Sequence, residues 1–205
     1  SDGQTVAVGA RLNDGNGTDS GHVRVYRWDG STWQQLGADI DGEAAGDESG
    51  FSVSLSSDGQ TVAVGARLND GNGTDSGYVR VYRWDGSTWQ QLGADIDGEA
   101  AQDYSGWSVS LSSDGQTVAV GANLNDGNGA DSGHVRVYHW DGSTWQQLGA
   151  DIDGEAAGDF SGRSVSLSSE GRTVAVGALY NNGNGTNSGH VRVYDLTTSA
   201  PEISG

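Results

Sequence analysis

Acidic side chains recur in this sequence at a spacing suited to one hard cation. Asp39, Asp41, Glu43 and Asp47 stand at relative positions 1, 3, 5 and 9 of a loop; the pattern returns as Asp95, Asp97, Glu99, Asp103 and as Asp151, Asp153, Glu155, Asp159. Oxygen ligands at such intervals are how a calcium loop curls around its ion, so Ca2+ is the candidate cofactor. No organic cofactor is expected. Glycine, however, falls at relative position 4 (Gly42), whereas such loops place it at position 6. The competing reading is a polar loop whose last aspartate accepts backbone hydrogen bonds. A second candidate metal loop holds Asp14, Asn16 and Asp19, repeated as Asp70, Asn72, Asp75 and as Asp126, Asn128, Asp131. A long turn built from Asn, Asp and Gly explains the same residues without an ion.

Two further groups could bind a partner. Trp28 and Trp33 flank an Asp-Gly turn, as do Trp84/Trp89 and Trp140/Trp145. Rings projecting from repeated hairpins could stack on sugars, whereas packing as cross-strand pairs is the plainer use of tryptophan. The other group lies where otherwise similar copies disagree: Glu48, Tyr104 and Phe160 share one position, and Phe51, Trp107 and Arg163 another. A buried core site would not take Phe, Trp and Arg interchangeably without cavity, strain or desolvation costs. These six are therefore expected to be largely exposed and to form a partner-binding edge. Catalysis has no comparable support. His22, His134 and His190 share a position with Tyr78, and no serine–histidine–carboxylate set or phosphate-cradling loop is present.

The elements that must position these residues come from one repeated unit. SDGQTVAVGA begins at Ser1, Ser57 and Ser113 and returns as SEGRTVAVGA at Ser169, a period of 56 residues. Phe51–Ser56 alternates apolar and polar residues, the signature of a half-buried strand. Asp58-Gly59 then suits a tight turn. Thr61–Ala66 reads as a second strand, with Gly65 where another backbone approaches closely. Tyr78–Trp84 is a third, and Thr88–Leu92 starts a fourth that extends toward Ile96. The predicted fold is therefore all-β: a β-propeller-type array of four-stranded antiparallel blades, with incomplete terminal blades. A β-solenoid is the runner-up. Residues 1–48 form a first blade lacking its first strand, 49–104 the second and 105–160 the third. Residues 161–196 form a fourth blade lacking its last strand, and 197–205 a linker or tail.

Trp89-Gln-Gln-Leu92, Asp103-x-Ser105-Gly106-x-Ser108-Val109, Thr117–Ala122 and Gly133-His-Val-Arg-Val-Tyr138 together resemble the FG-GAP repeat family, the blades of integrin-α-type propellers. Ser-Gly replaces the Phe-Gly pair at Ser49-Gly50, Ser105-Gly106 and Ser161-Gly162. The family's calcium loop joins the first two strands, where this chain has only Ser-Asp-Gly-Gln, so that metal site is not carried over. The resemblance implies an extracellular or cell-surface binding or adhesion module that is not an enzyme. The alternatives are a self-assembling ring or filament and a multivalent glycan-binding lectin. Partners are thus protein, another copy through blade edges, or glycan.

Composition narrows the classes. There are 28 acidic residues against 10 basic ones, a net charge of −18, 35 glycines and no cysteine. That excludes disulfides and thiol chemistry, and the negative field disfavours nucleic acid. No apolar run is long enough for a membrane span, so membrane insertion is not expected.

Overall fold

A computed structural model of the chain describes residues 3–197 and 202–203. These residues form strands and turns with no helix, arranged as four antiparallel sheets. The first sheet holds β1 (Thr5–Ala10), β2 (His22–Trp28), β3 (Trp33–Gln35) and β4 (Ile40–Asp41). The second holds β5 (Ser52–Leu55), β6 (Thr61–Ala66), β7 (Tyr78–Trp84), β8 (Trp89–Gln91) and β9 (Ile96–Asp97). The third holds β10 (Ser105–Leu111), β11 (Thr117–Ala122), β12 (His134–Trp140), β13 (Trp145–Gln147) and β14 (Ile152–Asp153). The fourth holds β15 (Ser161–Leu167), β16 (Thr173–Ala178), β17 (His190–Asp195) and β18 (Glu202–Ile203).

Each complete sheet is a meander, β5-β6-β7-β8 in the second, with Val62 opposite Tyr82 and Trp84 opposite Trp89. The expected fourth strand is interrupted. β8 ends at Gln91, and β9 pairs separately with the start of β7, Ile96 opposite Val79. Gly93 takes φ 78°, a left-handed conformation that bends the chain out of the ladder. Among the described residues the first sheet begins at β1. Within the stretch read as a linker or tail, Glu202–Ile203 instead pairs with β17, Ile203 opposite Tyr194.

The sheets pack face to face in chain order, first on second, second on third, third on fourth. One apolar layer fills each gap. Val23, Val25 and Ile40 of the first sheet meet Val62, Val64, Tyr82 and Trp89 of the second. Val79, Val81 and Ile96 meet Val118, Val120 and Tyr138 in the same way. Val135, Val137 and Ile152 meet Val174, Val176 and Tyr194. Strands β6 and β11 are therefore buried on both faces, which removes the alternation of a strand with one solvated side. The outer faces of the end sheets are open: Val8 is 49% exposed where Val64 is 1%, and Val191 is 67% exposed where Val135 is 0%.

The sheets approach closely at one point, and glycine is the reason. A Cβ on Gly65 would fall far inside contact distance of the Gly106 carbonyl oxygen in the next sheet. Gly9 meets Gly50 and Gly121 meets Gly162 in the same way. Ser52 and Ser108 donate hydroxyl hydrogen bonds to the Gly106 and Gly162 carbonyls at 2.7 and 2.8 Å, so the contact is bonded as well as close. Replacing Gly121 with alanine is expected to cost about 3 kcal/mol of unfolding free energy in urea, the range of a core overpacked by one methyl. Gly142→Ala, at an open hairpin tip with φ 102°, should cost only about 1 kcal/mol through backbone strain. Equal losses at the two positions would remove the close approach from the account.

Candidate functional site: a divergent face beside neutralised acidic loops

The first acidic loop is distributed among three duties. Its opening aspartate pairs with an arginine on the neighbouring strand: Arg24 Nε and Nη2 donate to Asp39 at 2.9 and 2.7 Å, and Arg80 donates to Asp95 at 2.8 and 2.6 Å. In the third sheet Arg136 pairs with Asp151. The hydrogen bonds from Arg24 hold the Asp39 carboxyl down at about 2. Asp95 is also lowered, because the Arg80 hydrogen bond and charge outweigh its partial burial. The glutamate crosses to the next sheet, Glu43 to Arg80 at 2.7 Å, Glu99 to Arg136 and Glu155 to Arg192.

The last aspartate is buried at 1–4% exposure and holds its own loop. Asp47 accepts from the Ala44 N–H and from Asn69 Nδ2 of the next sheet, both at 3.0 Å. Asp103 and Asp159 repeat the arrangement with Asn125 and Asn181. This is the plainer reading of the loop in geometric form. Asp41, Asp97 and Asp153 remain exposed, beside Gly15, Gly71 and Gly127 of the second candidate loop. Partial desolvation next to Asp95 raises the Asp97 carboxyl above its ordinary value.

The second loop is likewise tied internally. Asp14 accepts the Asp19 N–H at 2.9 Å; Asp70 and Asp126 do the same for Asp75 and Asp131 at 2.8 Å. Asn16, Asn72 and Asn128 donate to the carbonyls of Gly42, Gly98 and Gly154 at 2.8 Å, fastening one loop to the other. The tryptophans pack too. Trp84 and Trp89 are cross-strand partners with centroids 5.4 Å apart, and Trp89 Nε1 donates to the Leu36 carbonyl of the preceding sheet at 2.7 Å. Trp145 reaches Leu92 identically.

The six divergent residues do converge, but they are not largely exposed. Glu48 is buried, Phe51, Tyr104, Trp107 and Phe160 are half-buried, and only Arg163 is exposed. The expectation of exposure fails because they pack on one another, so each copy's change is compensated by its neighbour. Glu48 accepts from Arg11 Nη1 at 2.9 Å and from Arg67 Nε and Nη2 at 3.1 and 2.9 Å. The Arg67 guanidinium also lies over Phe51 at 4.3 Å and Trp107 at 4.9 Å. Phe51 and Trp107 tilt together at 4.9 Å, and Arg163 covers Trp107 at 4.3 Å. Glu48, Tyr104 and Phe160 all hold left-handed φ of 54–56°, an unfavourable conformation for such residues.

Sequence reasoning missed a third member of this face. Arg11, Arg67, Asn123 and Leu179 occupy one repeat position, and Tyr180 stands where the other copies have leucine. The same comparison between copies carried that signal. Between the third and fourth sheets a cleft of about 380 Å3 is lined by Arg67, Trp107, Asn123, Phe160, Arg163 and Tyr180 among others.

The FG-GAP repeat pattern matches residues 38–82, 93–138 and 149–194. The chain belongs to the FG-GAP repeat family. Each match of this FG-GAP chain begins in the acidic loop that closes one sheet and runs through the first three strands of the next. Comparison with curated protein sequences returns no match. Among solved structures, the crystal structure of a candidate 6-phosphogluconolactonase from Bacteroides uniformis is similar, with a TM-score of 0.59 at 14% identity. That similarity covers 96% of this chain and 52% of the other, so the FG-GAP chain spans about half its length. At that identity the likeness concerns the fold alone. No helix among the described residues is long and apolar enough to cross a membrane.

His134 supplies a test of this electrostatic layout. It is 3% exposed, 3.8 Å from Glu99 and 3.9 Å from Asp151, and burial lowers its pKa below the ordinary 6.5. A lowered histidine contributes stability that is full above 6.5 and is lost as pH falls through the folded value. Asp39 has the same sign further down, losing its contribution between 3.8 and about 2. His134→Tyr, patterned on the buried Tyr78 of the second sheet, should therefore flatten the melting profile just below pH 6.5. The decline at lower pH should persist.

Proposed function

We propose that this FG-GAP chain is a non-enzymatic extracellular or cell-surface binding module whose sheets are propeller-type blades. Its partner is a protein, engaged through the face where the copies diverge. The carrying observation is the convergence of the variable positions. In copies otherwise nearly alike, Glu48, Phe51, Arg67, Tyr104, Trp107, Asn123, Phe160 and Arg163 differ and meet on one face. Aromatic and arginine side chains clustered beside a cleft are the residue types that dominate protein contacts. The buried Glu48 and the stacked rings hold that face in shape before a partner arrives, which lowers the ordering cost of binding.

The chain supplies its own control. The second sheet carries the triad Glu48, Phe51 and Arg67, so the other sheets can be reset to it. The variant Tyr104→Glu, Trp107→Phe, Asn123→Arg, Phe160→Glu, Arg163→Phe and Leu179→Arg should fold, because its face repeats the Arg–Glu pairing already present. It should lose binding to displayed extracellular proteins that the parent captures. Unchanged binding by a folded reset variant would sink the reading.

Calcium belongs to the same proposal, at Asp41, Asp97 and Asp153, whose carboxylates form no ion pair with arginine among the described residues. Modules outside the cell hold calcium with dissociation constants of about 0.1–1 mM. Millimolar calcium is then expected to raise the melting midpoint and chelation to return it. A midpoint indifferent to both removes calcium from the proposal.

Self-association is a second reading, favoured by the open faces of the end sheets. Val6 and Val8 on one, and Val191 on the other, match the two sides of the internal apolar layers. Light scattering of the 205-residue chain should then show mass rising with concentration, and a stable monomer would exclude it.

A further inference from the structure

One arginine in the divergent face has its carboxylate and another does not. Arg67 lies over the Phe51 ring at 4.3 Å and, edge-on, donates Nε and Nη2 to Glu48 at 3.1 and 2.9 Å. Stacking a guanidinium on a ring leaves its edge free for two-pronged donation to a carboxylate. Arg163 has the first half of that arrangement. It lies over Trp107 at the same 4.3 Å, but among the described residues no carboxylate is within ion-pair distance. The positions that could have supplied one, by analogy with Glu48, hold Tyr104 and Phe160.

The surroundings of Arg163 are built for more than a lone anion. Asn123 is only 2% exposed and lines the same cleft, and its Oδ1 has no hydrogen-bond partner among the described residues. A buried amide left unpaired is costly unless an incoming group completes it. A side-chain amide matches a peptide group in both donor and acceptor. Phe160 and Tyr180, edge to face at 5.2 Å, form an apolar wall beside it. A cleft of about 380 Å3 accommodates a side chain and part of its backbone. A polyanion is disfavoured by the net charge of −18, whereas a single carboxylate between apolar flanks is not.

The geometry points to the Arg163–Trp107–Asn123 cleft as a receptor for one glutamate side chain of a partner polypeptide. It binds that carboxylate from outside as Arg67 binds Glu48 within. This rests on the binding-module reading and names the chemistry of its partner. Arg163 supplies the charge-assisted bonds, Trp107 fixes the guanidinium plane, and Asn123 takes a backbone amide of the ligand. The apolar wall holds the residues flanking the glutamate.

The probe is acetyl-Leu-Glu-Leu-amide, titrated calorimetrically into the 205-residue chain beside acetyl-Leu-Gln-Leu-amide. The glutamate peptide should bind at least about tenfold more tightly, the range of a hydrogen bond to a charged group. Arg163→Gln should abolish that preference while the melting midpoint stays near the parent's, since the side chain is exposed. Asn123→Leu, the residue found at the equivalent Leu179, should weaken both peptides by a similar factor. Equal affinity for the two peptides, or a preference that survives Arg163→Gln, overturns the assignment. Absence of binding at millimolar peptide does so as well. Sodium glucuronate binding as tightly as the glutamate peptide overturns the choice of a polypeptide. Failure of the peptides while the reset variant still loses its extracellular partner would defeat this inference alone and leave the binding module standing.

Discussion

The structure depends on two backbones being allowed to touch. Between each pair of sheets a glycine of one strand lies against a glycine carbonyl of the next sheet; at the second and third sheets a serine hydroxyl bonds that same carbonyl. A side chain at either glycine would hold the sheets apart there and open the apolar layer beside it. Valine and alanine do most of the filling, with isoleucine, tyrosine and tryptophan beside them, and they reach across the gap because it is narrow. This accounts for a chain that is 34% hydrophobic yet has fully buried strands. Close packing recovers dispersion contacts that a wider spacing would forfeit.

Around that contact, charge is organised across sheets as well as within them. Arg80 holds Asp95 of its own sheet and Glu43 of the preceding one, and Asn69 bonds the buried Asp47 from across the same gap. The acidic loops thus fasten neighbours together, with arginine and asparagine as the bridging groups. Arginine suits this duty because its fork can serve two carboxylates at once. The long-range negative field remains, but locally most loop acids near the interfaces have a partner.

Much of this was legible in the sequence, and the rest was hidden for identifiable reasons. The repeat, the strands and the close approach at Gly65 followed from periodicity and from glycine in a strand. The split of the fourth strand did not, because Leu92, Ala94 and Ile96 carry the strand's alternation straight through Gly93. The acid loops look like one ligand set in the sequence, since spacing cannot show that Arg24 lies across the ladder from Asp39 or that Glu43 leaves for another sheet. An arginine recurs at Arg24, Arg80, Arg136 and Arg192 in step with the acids, and that co-occurrence was the available clue. Comparison of the copies exposes the divergent residues but not their burial. Tolerance of Phe, Trp and Arg at one position meant mutual compensation rather than exposure.

Nearly identical sheets also pose a problem of order. The apolar layers between neighbours are built from the same few side chains, so a folding chain that stacked its first sheet on its third would bury almost the same surface. Misassembly of this kind is a known hazard of repeat proteins. What differs from gap to gap is the divergent set: Arg11 with Arg67 on Glu48 at the first, Arg67 on Trp107 at the next, and Arg163 on Trp107 after it. Arg11 and Arg67 are the same residue at one repeat position, so these contacts tell the gaps apart only through Glu48, Trp107 and Arg163. Order along the chain therefore rests on the short connections between consecutive sheets as much as on the contacts between them.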